Sequence, residues 1–323
     1  MPPPSAPISA PISAPATLRA LLSGLVDYAG LFPPAELPMR DAVAHYATYR
    51  AHPDAWTLGR FVVPVSRLDE LVACAAELLP ADGEEPWHLS VLGGADPVAD
   101  AARVAQFGRT HAGRVVVDAV EARAASADDV ARLAAAWPAP LALYVELPLD
   151  PDPAPLVRVV HALGRRAKMR TGGVTASAIP APALVARFIA QCTVAGVPFK
   201  ATAGLHHPVR GDHRLTYHAD SPTATMHGFL NVWMAAALVH ERLHHLRAAD
   251  SNADAVHAAV ALATDVLSDT DPASFGFDAA AARWRDHRVS LATLDAVRDG
   301  GAIAFGSCSF REPLDDLRVL ALL

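Results

Sequence analysis

From Phe61 onward the hydrophobic pattern of this chain switches repeatedly between a period of two and a period of 3.6, and that alternation restricts the folds open to it. FVVPV precedes a helical stretch from Leu68 to Leu79, WHLSVLGG precedes Val98 to Phe107, and RVVVDAVEA precedes Ala127 to Ala136. LALYVELP is followed by Pro155 to Leu163, AKMRTGG by Pro182 to Ala195, and PFKATAG by a longer helix from about Thr225 to Leu246. Ser126 and Thr223 stand where helix N-caps belong. Beyond these six units, a helix from Ala253 to Leu267, a short SFGFD strand, a helix near Ala279 to Asp286 or Leu291 to Val297, and a closing AIAFGSCSF strand supply a seventh and an eighth. Eight strands alternating with helices predict an α/β fold, a (β/α)8 TIM barrel. A doubly wound sheet is the alternative, but VVPVSRLDE, after the first of these strands, lacks the glycines of a dinucleotide-binding turn.

Upstream, Leu18 to Val26 and Met39 to Tyr49 predict two short helices joined by DYAGLFPPAELP, whose prolines force a turn. They form an N-terminal helical extension. The opening MPPPSAPISAPISAPA, residues 1–16, has the composition of a disordered Pro/Ser/Ala tail and lacks the basic start and apolar run of a signal peptide. Residues 17–323 are then a single catalytic barrel domain, and with 52% hydrophobic residues they can bury a core of that size.

A net charge of −7 with no basic, aromatic-interleaved run excludes an ordinary nucleic-acid binder. No apolar run reaches the roughly 18 residues of a membrane span, so no membrane partner is expected. Cys74, Cys192 and Cys308 are odd in number and widely spaced, which speaks against a disulfide framework and for a reducing, cytoplasmic setting. Homo-oligomerisation is left open.

Three of the strands carry charge where a buried strand should be apolar. In LALYVELP, Leu143, Val145 and Leu147 share one face while Tyr144 and Glu146 share the other. Lys168 and Arg170 lie together opposite Met169 and Thr171, and Lys200 and Thr202 oppose Phe199, Ala201 and Ala203. An apolar face toward helices and a charged face toward the barrel interior would make Glu146, Lys168, Arg170, Lys200 and Thr202 a candidate active site. Burial and a neighbouring cation both lower a lysine's pKa, so one amine is expected to be neutral and nucleophilic toward carbonyls. The glycines of RTGGV and TAGLHH (Gly172, Gly173 and Gly204), with Thr171 beside them, would let backbone amides approach a phosphate or carboxylate, and Arg170 would add a forked donor to the same anion. A purely structural Glu146–Lys168 ion pair and tight strand-to-loop turns are the alternatives.

The set over residues 144 to 204, FKATAG above all, resembles the class I aldolase-type barrels. That resemblance implies a Schiff-base lysine at Lys200, a pKa-modifying lysine at Lys168 and a proton-transferring carboxylate at Glu146. The expected function is lyase or aldolase-like chemistry on a small anionic carbonyl compound.

A second cluster lies in HHPVRGDHRLTYHAD, just past the sixth of these strands. His206, His207, His218 and Asp220 are a pool of ligands for zinc or a similar divalent ion, alongside Asp212 and His213. This gives an alternative, a metal-dependent hydrolase, lyase or isomerase with Glu146 as base, using ligands from His206 to His227. Hydrogen-bonding histidines in a polar lid would explain the same residues. His227 and Asn231, four apart, are expected to face the site from one helix, with Asn231 binding substrate. His240 to His244 spell HExxH, but position 247 is Arg and 250 is Asp, and no glutamate follows before Glu312, so a metallopeptidase is disfavoured. Asp27 and Tyr28 would reach the site only if the N-terminal helices fold over the barrel, and Cys308 is read as a small core residue. A barrel that binds a small molecule without turning it over is the non-enzymatic alternative.

Overall fold

Strands whose apolar residues fall on one face need helices against that face, and here the strands close on themselves so that every one is covered. In a computed structural model, which describes residues 14–81, 83–139, 141–244 and 253–323, eight parallel strands form a closed barrel. The first seven are β1 (Val26–Tyr28), β2 (Leu58–Pro64), β3 (Trp87–Leu92), β4 (Val115–Arg123), β5 (Ala142–Glu146), β6 (Arg166–Arg170) and β7 (Phe199–Thr202). Two excursions follow, a hairpin of β8 (Gly211–Arg214) with β9 (Thr223–Met226), and a three-stranded antiparallel sheet of β10 (Phe275–Phe277), β11 (Ala281–Trp284) and β12 (His287–Ser290). Strand β13 (Ala302–Ser307) then enters between β7 and β1 and completes the barrel.

The helices run α1 (Ala16–Leu22), α2 (Met39–Arg50), α3 (Leu68–Ala75), α4 (Pro97–Thr110), α5 (Ala127–Ala136), α6 (Ala154–Ala162), α7 (Pro182–Ala195), α8 (Phe229–Leu243), α9 (Ala253–Ser268), α10 (Leu291–Gly300) and α11 (Arg311–Val319). The (β/α)8 barrel expected from the sequence is therefore the fold. Ser126 does cap α5, accepting from the Asp129 amide while Asp129 reaches back to the Ser126 amide.

Two strand assignments differ from the sequence reading. The predicted helix from Leu18 to Val26 stops at Leu22, and Val26–Tyr28 is barrel strand β1, so the expected extension contains the first β/α unit, with only α1 ahead of it. A three-residue strand is too short to display a period, which is why it was hidden in the turn sequence. SFGFD supplies β10, outside the barrel, because its partner β11 runs antiparallel to it. PFKATAG thus becomes the seventh barrel strand. Thr223 does not cap a helix; it begins β9, and α8 starts after Gly228, where a Cβ would stand 2.4 Å from Asn231 Oδ1 and 2.5 Å from the Pro208 carbonyl. The tail and the helix end diverge less: α1 begins at Ala16, residues 1–13 lie outside those described, and α8 ends at Leu243.

Outward-pointing Leu89, Val91, Val120, Leu143, Val145, Met169, Ala201 and Phe305 are fully or nearly fully buried under the helices. Ala176–Ala195 is apolar and long enough to cross a membrane by length and composition, although no run of that kind was expected; its α7 portion packs on α8 and α9, with Val185, Phe188 and Ile189 fully buried. The inward positions depart from the branched apolar layers usual in such barrels. They carry Arg60, His88 and Asp118 at one level, and Asp27, Ser90, Glu121, Glu146, Lys168 and Lys200 above.

The strand ends beside this interior meet at two glycines. Gly204 has φ +74°, and an added Cβ would lie 3.0 Å from the Gly172 Cα. Thr171 fixes the same junction by donating to the Ala203 and Thr202 carbonyls at 2.7 and 3.2 Å. Gly204→Ala is expected to destabilise the fold by about 1–3 kcal/mol through left-handed strain and splaying of β6 from β7. Urea unfolding midpoints of the two proteins check this, with Gly164→Ala, also at positive φ but in open space, separating strain from crowding.

Candidate active site

Parallel register brings the charged residues of neighbouring strands side by side. Glu146 pairs in register with Lys168, and Lys168 with Lys200. Lys200 Nζ lies 2.6 Å from Asp27 Oδ2 and 2.5 Å from Glu121 Oε1. Lys168 Nζ lies 2.7 Å from Glu121 Oε2 and 2.8 Å from Glu146 Oε2. Ser90 Oγ donates to Glu121 Oε1 at 2.7 Å, and the Arg60 amide donates to Asp27 Oδ1 at 2.7 Å. The outer oxygen of Glu146, Oε1, takes Arg123 Nε at 3.0 Å and Arg170 Nε at 3.3 Å. Charge therefore alternates along a chain from Asp27 through Lys200, Glu121 and Lys168 to Glu146, and ends on two guanidiniums at the rim.

This geometry changes the expected roles of the two lysines. Lys200 is 1% exposed, and although burial alone lowers its pKa, Asp27 and Glu121 more than offset that and hold it above the usual lysine range. The neutral Schiff-base amine expected at Lys200 does not follow: its nearest charges are two carboxylates, and the second cation stands beyond Glu121. Burial pushes the Glu121 carboxyl up, but Lys168 and Lys200 outweigh it and keep the group ionised. Glu146 is likewise held below its ordinary value against the effect of burial, chiefly by Lys168 and then by Arg170 and Arg123.

Above the network, at the C-terminal ends of the strands, is a cavity of about 220 Å³ lined by Lys168, Glu121, Arg170, Thr202, His206 and Cys308, among others. Lys200 is not on its wall. Gly173 and Gly204 reach the lining, whereas Gly172 packs against Gly204 and Thr171 is 1% exposed and committed to its backbone bonds. The β8–β9 hairpin roofs the cavity with Leu215 and Met226, and its Tyr217 donates to Glu312 at 3.0 Å and lies 3.4 Å from Cys308 Sγ. Burial pushes the Cys308 thiol up to about 11, as befits a small buried residue and not a nucleophile.

The histidine cluster is dispersed. His206 is buried at the cavity wall, its Nδ1 3.3 Å from Ser307 Oγ and 3.6 Å from Glu312 Oε2. His207 pairs with Asp316 at 2.6 Å and stacks on His213, while His218 and Asp220 are exposed on the hairpin turn. Among the described residues no group of three or more His, Cys, Asp or Glu side chains is placed to hold a metal, so the four proposed ligands are not brought together. Asn231 does not face the site either. It accepts from the Arg210 amide and donates to the Val266 and Asp269 carbonyls, fully buried. His227 is spent on the Pro180 carbonyl at 2.8 Å and on Arg210. The HExxH histidines, His240 and His244, stack on each other at the end of α8.

Sequence reasoning missed Glu121 and Ser90, and it placed Asp27 in a turn. Asp118 and Glu121 are three apart and in a regular strand would face opposite ways. An irregularity in the β3–β4 register, where Leu89 pairs with Val117 but Ser90 with Ala119, puts both inside. One signal was available: Lys168 and Lys200 are the only lysines in the chain, against 25 arginines.

No protein-family model matches this chain, and no curated protein matches it either. The site is therefore interpreted from its own geometry.

Lys200→Met leaves Asp27 and Glu121 buried without their shared cation and is expected to cost about 3–5 kcal/mol, read from denaturant unfolding. A second expectation concerns acid. Burial, helped by a neighbouring histidine at His206 and His213 and by Arg210 at His227, lowers the three to about 4, against roughly 6.5 in an unfolded chain. As pH falls from about 6.5 to 4 the unfolded chain binds protons that the fold refuses, so stability falls through that window. The carboxylates held low, Glu121 and Glu146, add their loss only below about pH 4.3. Unfolding midpoints measured from pH 7.5 to 4.5 should decline, and His227→Gln should flatten the slope by up to one proton.

Proposed function

We propose that this barrel is an enzyme acting on a small anionic carbonyl compound by lysine-based, lyase or aldolase-like chemistry, with Lys168 in the reacting role and Lys200 as its fixed electrostatic partner. The observation that carries this reading is the position of Lys168 on the cavity wall, 2.8 Å from a carboxylate that can take its proton, with Arg170 beside it for the substrate's anion. Lys168 gives a proton to Glu146, and the neutral amine attacks the carbonyl carbon. A C–N bond forms, the C=O electron pair moves to oxygen, and that oxygen takes one proton from the attacking nitrogen and the one returned by Glu146 and leaves as water. The resulting iminium accepts the electron pair of the breaking C–C bond while the hydroxyl on the departing carbon gives its proton to Glu146 and becomes a carbonyl. A cavity of about 220 Å³, below the ~300–1,000 Å³ of drug-sized pockets, limits the reacting fragment to a few carbons. A cytoplasmic setting accords with three unpaired cysteines and belongs to the same proposal.

A second reading rests on the double pairing of Lys168 with Glu121 and Glu146. If the amine stays an ammonium, it stabilises an enolate oxygen while Glu146 moves the proton, and no covalent intermediate forms.

The test is reductive trapping. Pyruvate and dihydroxyacetone phosphate are offered with sodium borohydride, and the adduct is located by peptide mass spectrometry, which with two lysines is unambiguous. A reduced adduct on Lys168, absent from Lys168→Arg, is the expected result. An adduct on Lys200 would return the role to that residue. Deuterium exchange at the carbon next to the carbonyl without any adduct would select the enolate reading, and binding with neither would leave a binding protein.

A further inference from the structure

Glu146 stands between two spaces. Its inner oxygen holds Lys168 at the cavity wall, and its outer oxygen holds Arg123 and Arg170. On that outer side lies an open cleft of about 700 Å³, lined by Arg123, Arg170, Glu146, Asp129, Ser177 and Pro180. Arg170 lines both the inner cavity and this cleft, so the two lie on either side of one side chain.

The cleft has unused donors and unbalanced charge. Arg123 and Arg170 each spend only Nε, and both on the same oxygen; their terminal Nη groups have no protein partner among the described residues. In the connected network three carboxylates, Asp27, Glu121 and Glu146, face two ammoniums and two guanidiniums, which leaves one positive charge in excess at the rim. Asp129, the other acid of the cleft, is already taken by Arg132 and by the cap of α5. Two forked cations held side by side with outward N–H groups are short of an anion. Together they offer more donors than a carboxylate's two oxygens can use, whereas the three oxygens of a phosphoryl group match them.

We infer that the outer cleft is a phosphoryl subsite, in which Arg123 and Arg170 hold the phosphate of a substrate whose carbonyl end enters the inner cavity at Lys168. The inference rests on the reading of Lys168 given above for the carbonyl end, and on the cleft alone for the phosphate. It makes the substrate class a phosphorylated carbonyl compound.

The experiment is isothermal titration calorimetry with inorganic phosphate and with acetate, on the native protein, on Arg123→Gln/Arg170→Gln and on Arg123→Lys/Arg170→Lys. Native protein should bind phosphate at least about ten-fold more tightly than acetate, and both double variants should lose at least about ten-fold in phosphate affinity, the lysine pair showing that the fork matters beyond charge. Equal phosphate affinity in native and glutamine proteins, or none in either, overturns the subsite. Acetate binding as tightly as phosphate overturns the phosphoryl assignment in favour of a carboxylate. Arginine-dependent phosphate binding without borohydride trapping would sink the lysine chemistry and leave the subsite standing, and trapping without arginine-dependent binding would do the reverse.

Discussion

A run of alternating buried charges, Asp27, Lys200, Glu121, Lys168 and Glu146, holds the centre of this barrel, and the rest of the site depends on it. Taking each ion out of water costs several kcal/mol even after relaxation, and the cost is offset only when every member has its partners. Here each does. Glu121 takes both lysines and the Ser90 hydroxyl, and Asp27 takes Lys200 and the Arg60 amide. With Ser90 and that amide included, every barrel strand except β13 contributes a group. A core of this kind sets the register of the strands more narrowly than apolar layers would, because a slip of one residue would leave a charge unpaired in the interior.

The network also divides the labour between its two cations. Lys200 is enclosed by carboxylates below the cavity and serves as a fixed positive charge. Lys168, one strand away, shares Glu121 with it but reaches the cavity wall and has Glu146 as a second partner. An arginine could not replace either without a larger slot, since its planar fork is wider than the single nitrogen that fits between two carboxylate oxygens here. That offers a physical reason for a chain rich in arginine to keep lysine at these two positions alone.

Much of this was legible in the sequence. Alternation in LALYVELP, AKMRTGG and PFKATAG gave the correct faces, with Glu146, Lys168, Arg170 and Lys200 inside and Val145, Met169 and Ala201 outside, because the period of two is enforced wherever one face meets helices. What escaped it were the places where that period fails. Three residues cannot show a period, so β1 and Asp27 were lost in a turn, and the irregular register of β4 disguised Glu121. His227 and Asn231 lie four apart on or beside α8, as expected, but spacing cannot tell a side chain aimed at a ligand from one spent on the Pro180 or Val266 carbonyl. The same holds for His206, His207, His218 and Asp220, whose nearness in sequence is undone by the β8–β9 hairpin, which leaves the last two in solvent.

The position of Glu146 connects the two proposed halves of the site. With the cleft free, Arg123, Arg170 and Lys168 all draw on its carboxylate and hold it ionised, so it is a poor acceptor for the Lys168 proton. A phosphoryl dianion seated on the two guanidiniums would compete for their N–H groups and place negative charge beside the carboxylate, and both effects raise its affinity for a proton. The proton it would take is the one on Lys168, 2.8 Å away. Only a ligand long enough to fill the cleft and the cavity together would bring its anion to the two guanidiniums and its carbonyl to Lys168 at once.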